Sequence, residues 1–220
     1  MNIAQAVDRL ISQSPFLEEA LTDGLINVSS LARKLKPEVE NILKKPVQEG
    51  AIVMAINRRA PDYYFKVSKG IKTFMNKLGD IIVRSDLSDH SFVNSPTLIT
   101  CQRDLIDEIG AEQNVFCTFS QGVYETTIVA SNSIDQTIDR IFARENRLSR
   151  KPGLGSVTIR LPEDNTEISG VYYYILKNLA WRGINICEII STTNEMSIVV
   201  AEEDVHRAFP ILLNLKKPNI

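Results

Sequence analysis

The stretch GINICEIISTTNEMSIVVAEEDVHRAFPILLNL, residues 183–215, has a weaker copy in QNVFCTFSQGVYETTIVASNSIDQTIDRIFA, residues 113–143. At a constant offset of 71 residues, Asn114 aligns with Asn185, and the two segments then run without a gap for about thirty residues. An ungapped match of this length is hard to obtain by chance. It predicts the internal duplication of a small folding unit.

The copies extend upstream into short β-branched segments. IIVR at 81–84 resembles VTIR at 157–160, but at an offset of 76, which gives the first copy five extra residues before Asn114. KPGLG at 151–155 contains a Gly-x-Gly pattern that precedes a strand and lacks the Lys-Ser/Thr of a phosphate loop. We therefore interpret it as the linker between the copies.

Each copy is predicted to fold as strand, helix, strand, strand, helix. In the second copy, SVTIRL is the opening strand, and SGVYYYILKNLAWRG is a helix with Ser169 as its N-cap and Gly183 just past its end. INICEIIST and EMSIVVAE alternate around a turn as a hairpin, and EEDVHRAFPILLNL begins with an acidic helical turn. The pattern predicts an α+β fold in which both helices cover one face of an antiparallel sheet, so that only this face is buried.

This pattern resembles the ACT domain, a small ferredoxin-like module that senses amino acids. The resemblance is carried by Gly170-Val171, by LKNLAWRGINICEI and by MSIVVAEEDVHRAFPIL, and it is strongest to the regulatory region of aspartate kinase. It implies two βαββαβ-type ACT modules, with an amino-acid site usually shared across an interface between paired modules. The first copy has Asn94-Ser95-Pro96 where the second has its helix-start glycine.

The candidate ligand site is the loop 162–170 together with Asn185. A helix N-terminus presents free backbone N–H groups that suit a carboxylate, and a glycine there leaves room for close approach. Asp164 and Glu167 are candidates to receive an α-ammonium group, and Asn185 to fix the orientation. The whole candidate set is Asp164, Asn165, Thr166, Glu167, Ser169, Gly170, Asn185 and Ile186; weaker candidates in the first copy are Asn94, Ser95, Asn114 and Val115. The alternative is that Gly170 only permits close packing and Asn185 only begins a strand.

The amino-terminal third has a different pattern. Two amphipathic segments and NVSSLARKL predict helices, and AIVMAI and YYFKV, on either side of NRRAPD, predict a hairpin with an arginine-bearing tip. Helices followed by a hairpin resemble a winged helix-turn-helix, in which wing arginines contact phosphate. Pro46 and several glutamates depart from that pattern, so a dimerisation or structural role is the alternative. The candidate nucleic-acid residues are Lys36, Lys44, Lys45, Arg58 and Arg59.

Composition limits the class of protein. No apolar run approaches the roughly 20 residues that span a bilayer, and the first residues are too polar for a signal peptide. Three unclustered cysteines indicate a reducing compartment, so we expect a cytoplasmic protein without membrane contact.

The charge is unevenly distributed along the chain. Residues 1–79 carry 12 Lys and Arg against 8 Asp and Glu, whereas residues 80–220 carry 13 against 19. A basic amino-terminal part agrees with DNA contact by that part, and equally with two solvated surfaces of different composition that bind no nucleic acid.

Catalytic chemistry is not indicated. His90, placed in a loop by the pattern, and His206, on a helix, are far apart, and no CxxC or HExxH spacing predicts a metal. We expect no metal, no cofactor and no enzymatic activity, since a full kinase domain does not fit alongside the predicted modules in 220 residues.

The leading hypothesis is a regulatory protein that senses an amino acid and pairs as a homodimer, with control of transcription by its front end as an extension. The alternatives are a ligand-free dimerisation or interaction protein and a stand-alone regulatory subunit of an aspartate kinase. The predicted organisation is a winged-helix-like domain at 1–66, a connecting helix at 67–79, a first module at 80–150 and a second at 151–220.

Overall fold

The structure, a computed structural model, describes residues 1–58, 70–110 and 114–216. The chain divides into two compact units, Met1–Gly70 and Ile71–Ile220. Within the described ranges, none of the helices combines the length and the apolar character needed to cross a membrane.

The first unit is helical. Asn2 and Gln5 form a capping box at the start of α1, and the side chain of Asn27 caps α3 by accepting from the backbone N–H of Ser30 at 3.0 Å. The helices are α1 (Ile3–Ser12), α2 (Pro15–Thr22), α3 (Val28–Leu43) and α4 (Glu49–Asn57). Their apolar faces enclose one core of Ala6, Val7, Ile11, Leu31, Ala32, Leu35, Val39, Val47, Ile52 and Ile56.

The predicted strand at AIVMAI is wrong, because these residues lie in α4. A six-residue apolar run has no period that separates strand from helix. Ile52 and Ile56, four residues apart, lie on one face of the helix and are both buried, which is the spacing expected for a helix packed against a core. The second predicted strand, YYFKV, lies outside the described residues. Of the predicted connecting helix, residues 70–75 are helical (α5), and residues 67–69 lie outside the described ranges.

The second unit repeats one order of elements. The first copy runs β1 (Ile81–Val93), α6 (Leu98–Ile109), β2 (Cys117–Gln121), β3 (Glu125–Ser131) and α7 (Asp135–Ile141). The second copy runs β4 (Arg147–Arg160), α8 (Val171–Ala180), β5 (Ile186–Ser191), β6 (Glu195–Ala201) and α9 (Glu202–Leu215). The prediction of strand, helix, strand, strand, helix is confirmed for both copies.

The six strands of the described residues form one antiparallel sheet in the order β2-β3-β1-β4-β6-β5. Exchanging the two copies leaves this order unchanged, so the sheet is approximately two-fold symmetric about the β1–β4 pair. Each copy contributes three strands, and the fourth position beside its opening strand is filled by the long opening strand of the other copy. The βαββαβ pattern therefore arises only with this exchange.

The register of the repeat differs from the sequence alignment. The hairpin strands β3 and β6 correspond at an offset of 70, since both have the same burial pattern and both turns close with a bond to the carbonyl oxygen of Glu125 or Glu195. His90 is opposite Ile128 and Val157 is opposite Ile198, so the opening strands correspond at an offset of 67. The offsets of 71 and 76 were wrong. Because side chains alternate along a strand, a shift of one residue exchanges the two faces.

The predicted linker, KPGLG, is part of β4 instead. Gly155 lies where α9 crosses the sheet: a Cβ there would be 2.6 Å from Val205 Cγ2 and 2.9 Å from the carbonyl oxygen of Arg84. The glycine is therefore needed for close packing of the helix and of strand β1. The residues predicted to link the two copies therefore belong to the sheet, in which β1 and β4 pair along most of their length.

Both faces of the sheet bury apolar residues. On the helix face of the first copy, the core contains Phe92, Leu98, Leu105, Ile128, Ala130, Ile134, Ile138 and Phe142. The opposite face also has a cluster, made of Leu87, Val129, Leu154 and Val199, with Phe116, Cys187 and Ile190 packed against it. The expectation of one buried face was therefore wrong: the sheet curls, and its register shifts in β1 near Leu87.

Candidate functional site

The loop before the first helix differs between the copies. It has ten residues, 161–170, in the second copy and four, 94–97, in the first. This is the reverse of the predicted insertion, which followed from aligning IIVR with VTIR. The longer loop begins with a 3-10 turn at Glu163–Thr166 and ends at Gly170.

Gly170 is the N-cap of α8 and has a left-handed backbone, with φ of 85°. Residues with a Cβ adopt this conformation at a cost, so glycine suits the position. Within the described residues no side chain caps α8, and the predicted cap Ser169 does not do so. The first N–H groups of this helix are thus available to an anion.

The structure gives the predicted loop residues different roles. Asp164 accepts from Lys77 Nζ at 3.1 Å, so its carboxylate already has a cationic partner. Asn165 is buried, and its side-chain amide donates to the carbonyl oxygens of Pro162 and Thr193, which ties the loop to the β5–β6 turn. The remaining loop residues Thr166, Glu167 and Ser169 are exposed, and Gly170 is half-buried.

Asn185 and Ile186 are not brought to this loop. They lie at the start of β5, whereas the loop contacts the turn after its end. A strand rises about 3.3 Å per residue, so the two places are roughly 20 Å apart along β5. The residues that do border the start of α8 are Tyr172 and Ser191, whose hydroxyl oxygens are 2.8 Å apart. Sequence reasoning missed this pair because 19 positions separate its members.

In the first copy the weaker candidates are also separated. Asn94 donates to the carbonyl oxygen of Gly122 at 2.8 Å and accepts from Thr126 Oγ1 at 2.7 Å, which ties the short loop to its own hairpin. Asn114 has a left-handed backbone with φ of 90°, and it and the half-buried Val115 follow α6 at the other end of the helix.

The start of α6 is occupied by a carboxylate of the chain itself. Glu145 Oε2 accepts from Ser95 Oγ at 2.5 Å, and Glu145 Oε1 accepts from Thr97 Oγ1 at 2.6 Å. The hydrogen bonds from Ser95 and Thr97 lower the pKa of Glu145 below its ordinary value. No local pattern predicts this contact, because about fifty residues separate the partners.

His90 lies in strand β1 and not in a loop, and it is fully buried. Its Nε2 is 2.9 Å from Asp135 Oδ1, which also accepts from Ser88 Oγ at 2.5 Å. Burial lowers the pKa of His90, and the contact with Asp135 acts in the opposite direction without cancelling it. Burial alone would raise the pKa of Asp135, but hydrogen bonds from Ser88, Arg150 and His90 outweigh it, and the pKa is lowered. Ser88, His90 and Asp135 are buried, whereas Arg150, which donates to Asp135 Oδ2 at 2.8 Å, is partly exposed.

The predicted nucleic-acid residues that the structure describes lie on α3, directly after α3, or directly after α4. Lys36 on α3 is 3.9 Å from Glu40, and Lys44, the left-handed C-cap of α3, donates to Asn41 Oδ1 at 2.9 Å. Lys45 and Arg58 are exposed, and Arg59 lies outside the described residues. Among the described residues, no group of three or more His, Cys, Asp or Glu has the arrangement of a metal site.

Comparison with known proteins gives a fold and no closer relationship. No protein-family model and no curated protein matches the sequence. The ligand-free regulatory subunit of aspartate kinase from Thermus thermophilus matches with a TM-score of 0.50 and 12% identity, over 63% of this chain and 97% of that chain. A structure of aspartokinase alpha and beta subunits matches with 0.51 and 14%, over 63% and 97%.

Aspartate kinase from Clostridium acetobutylicum matches with a TM-score of 0.51 and 16% identity, over 62% of this chain and 34% of that one. These identities establish the fold alone. The chain thus resembles the ACT-containing regulatory region of aspartate kinase, as its sequence predicted.

Proposed function

We propose that the chain is a non-catalytic regulatory protein that binds an amino acid at the start of α8 in the second copy of the repeat. The observation that carries the proposal is the uncapped helix start at Gly170, beside a ten-residue loop tied in place by Asn165. The resemblance to regulatory subunits of aspartate kinase supports a regulatory role.

The chemistry of the site suits an α-amino acid. Its carboxylate accepts from the first N–H groups of α8, where the helix dipole favours negative charge. Glu163 and Glu167 are both exposed acidic residues of the loop; Glu167, which lies nearer the start of α8 in the sequence, receives the ammonium group, while Asp164 stays paired with Lys77. Tyr172 and Ser191 border the position of the side chain. Asn185 and Ile186 contribute only from a second copy of the chain, in a homodimer.

Isothermal titration of the full chain against each of the twenty amino acids tests the proposal. We expect one of them to bind, and the Gly170→Ala variant to bind it more weakly because a Cβ disfavours the left-handed helix start. Asn114→Ala, at the far end of α6, is the matched control and should bind as the wild type does. Absence of heat and of a thermal shift with all twenty would overturn the proposal.

A stand-alone regulatory subunit of an aspartate kinase is the second candidate function. It is favoured by the 97% coverage of the regulatory subunit from Thermus thermophilus. Affinity purification of the tagged chain from its own cells is then expected to recover ATP-dependent aspartate phosphorylation, with no such activity from the isolated chain. Recovery of the tagged chain without that activity counts against it.

An interaction protein without a ligand remains the alternative from another class, and it predicts a stable partner whose binding does not change when amino acids are added.

Transcriptional control through the helical unit stays a prediction as well. A gel-shift assay with Lys45→Ala and Arg58→Ala variants tests it. If these exposed residues contact DNA phosphates, both variants should bind DNA more weakly than the wild type.

A further inference from the structure

We infer that the first copy carries an internal ligand: the side-chain carboxylate of Glu145 occupies the carboxylate position at the start of α6 and closes it to free carboxylates. The inference rests on the proposed function in one respect: it takes the start of α6 to correspond to the start of α8, where the proposed ligand places its carboxylate. It adds that the two copies are not equivalent, with one closed by its own chain and the other open.

The geometry is that of a bound carboxylate and uses both oxygens of Glu145. Ser95 Oγ donates to Oε2 and Thr97 Oγ1 donates to Oε1, at 2.5 and 2.6 Å, and Cys101 Sγ lies 3.7 Å from Oε1. Ser95 Oγ also accepts from the backbone N–H of Leu98 at 3.1 Å, so it connects the helix start to the carboxylate. Three side chains from the loop and from the first turn of α6 therefore converge on one acidic group.

The charge balance supports the same role. The first turn of α6 contains no acidic residue of its own, whereas α9 begins with Glu202, Glu203 and Asp204. Glu145, about fifty positions away in the chain, supplies the negative charge that a helix N-terminus favours. The hydrogen bonds from Ser95 and Thr97 lower the pKa of Glu145, as expected for donors that favour the ionised carboxylate.

The second copy lacks both halves of this arrangement. The N-cap is Thr97 in α6 and Gly170 in α8, so the N-cap residue of the second helix has no hydroxyl to donate. At the hairpin offset of 70, Glu145 aligns with Leu215, a buried apolar residue at the end of α9. The second copy thus has neither a glutamate at the aligned position nor a hydroxyl on the N-cap residue of its helix.

Chemical rescue tests the inference. Glu145→Ala removes the internal carboxylate and is expected to lower the melting temperature by about 3–10 °C. Sodium acetate is then expected to restore part of this loss in a saturable manner, because acetate fills the vacated position, while sodium chloride at equal ionic strength does not. Glu203→Ala, which removes an exposed glutamate elsewhere in the unit, is the control and should show no acetate effect beyond that of chloride.

Two results overturn the inference: no difference between acetate and chloride in Glu145→Ala, or an equal acetate effect in the wild type. If the alanine variant does not fold, carbon-13 NMR titration of the Glu145 carboxyl in the wild type is used. Its pKa should lie below the ordinary range and rise in Thr97→Val, which keeps the shape but loses the donor; an unchanged pKa contradicts the inference. Neither experiment uses an amino acid, so their failure is distinguishable from failure of the proposed function.

Discussion

His90 and Asp135 occupy positions that are apolar in the second copy. At the offset of 67 for the opening strands, His90 corresponds to Val157. At the offset of 70 for the hairpin strands and the helices that follow them, Asp135 corresponds to Val205. The first copy therefore encloses a polar contact where the second encloses two valines. A buried polar pair of this kind makes the stability of its copy depend on pH.

We expect the free energy of unfolding to fall as pH is lowered below about 6.5, the ordinary pKa of histidine. Because the folded-state pKa of His90 is lowered, the unfolded state binds the proton first and is stabilised relative to the folded state. The charged groups that act on His90 are Asp135, Arg147 and Arg150. Urea titrations from about pH 7.5 to about pH 5.5 should show this fall in the wild type.

The matched variants are His90→Gln, in which the fall should shrink, and His206→Gln, in which an exposed histidine is removed and the fall should persist. An identical pH dependence in His90→Gln and the wild type would show that His90 is not responsible.

Gly155 is the residue at which close packing leaves no room for a side chain. We expect Gly155→Ala to lower the free energy of unfolding by about 1–3 kcal/mol, because its Cβ meets Val205 and the backbone of Arg84. Gly50→Ala is the contrasting variant: nothing lies within 4 Å of its Cβ in α4, and replacing a helical glycine should add about 0.5–1 kcal/mol. Equal stability of Gly155→Ala and the wild type in urea would contradict the packing.

At the scale of secondary-structure elements, the loops before α6 and α8 are fixed by one device used twice. Asn94 donates to the carbonyl oxygen of Gly122, and Asn165 donates to that of Thr193. In each copy an asparagine in the segment between the opening strand and the first helix thus joins this segment to the hairpin turn. The helix start takes its position from this contact and not from the sheet alone.

We expect Asn165→Ala to lower the free energy of unfolding by about 1 kcal/mol and to speed hydrogen exchange in 162–170. Asn185→Ala changes an exposed asparagine at the far end of β5 and should stay within about 0.5 kcal/mol of the wild type without faster exchange in the loop. Similar exchange rates in both variants would mean that the side-chain amide of Asn165 does not hold the loop.

The sequence was sufficient for the type and order of the repeated elements, because alternation, helical spacing and turn residues are local signals. It was insufficient for the register. Val129-Ala130 matches Val200-Ala201 by letter, but the pairing puts Ala130 and Val200 at equivalent positions. The strand assigned to AIVMAI failed for a related reason, since a wholly apolar run has no period. The ties of Asn94, Asn165 and Glu145 to distant residues are tertiary contacts, which leave no pattern in a single sequence.

At the scale of the whole molecule, every described strand lies in the unit Ile71–Ile220, and the unit Met1–Gly70 has a helical core of its own. We expect a chain of residues 71–220 to fold without the first unit, as shown by a cooperative thermal transition and a strand-rich circular dichroism spectrum. It should also keep the amino-acid binding of the full chain. A disordered spectrum for this fragment would show that the helical unit is required for folding.

The exchange symmetry of the six strands has a consequence for ancestry. A polypeptide with a single copy would leave one side of its opening strand without a neighbour, and two such polypeptides would complete each other about a two-fold axis. Such a homodimer must carry two identical helix starts, whereas a fused gene lets its halves diverge. In the fused chain the halves differ at this point, with the Glu145 contact before α6 in one and the glycine N-cap of α8 in the other.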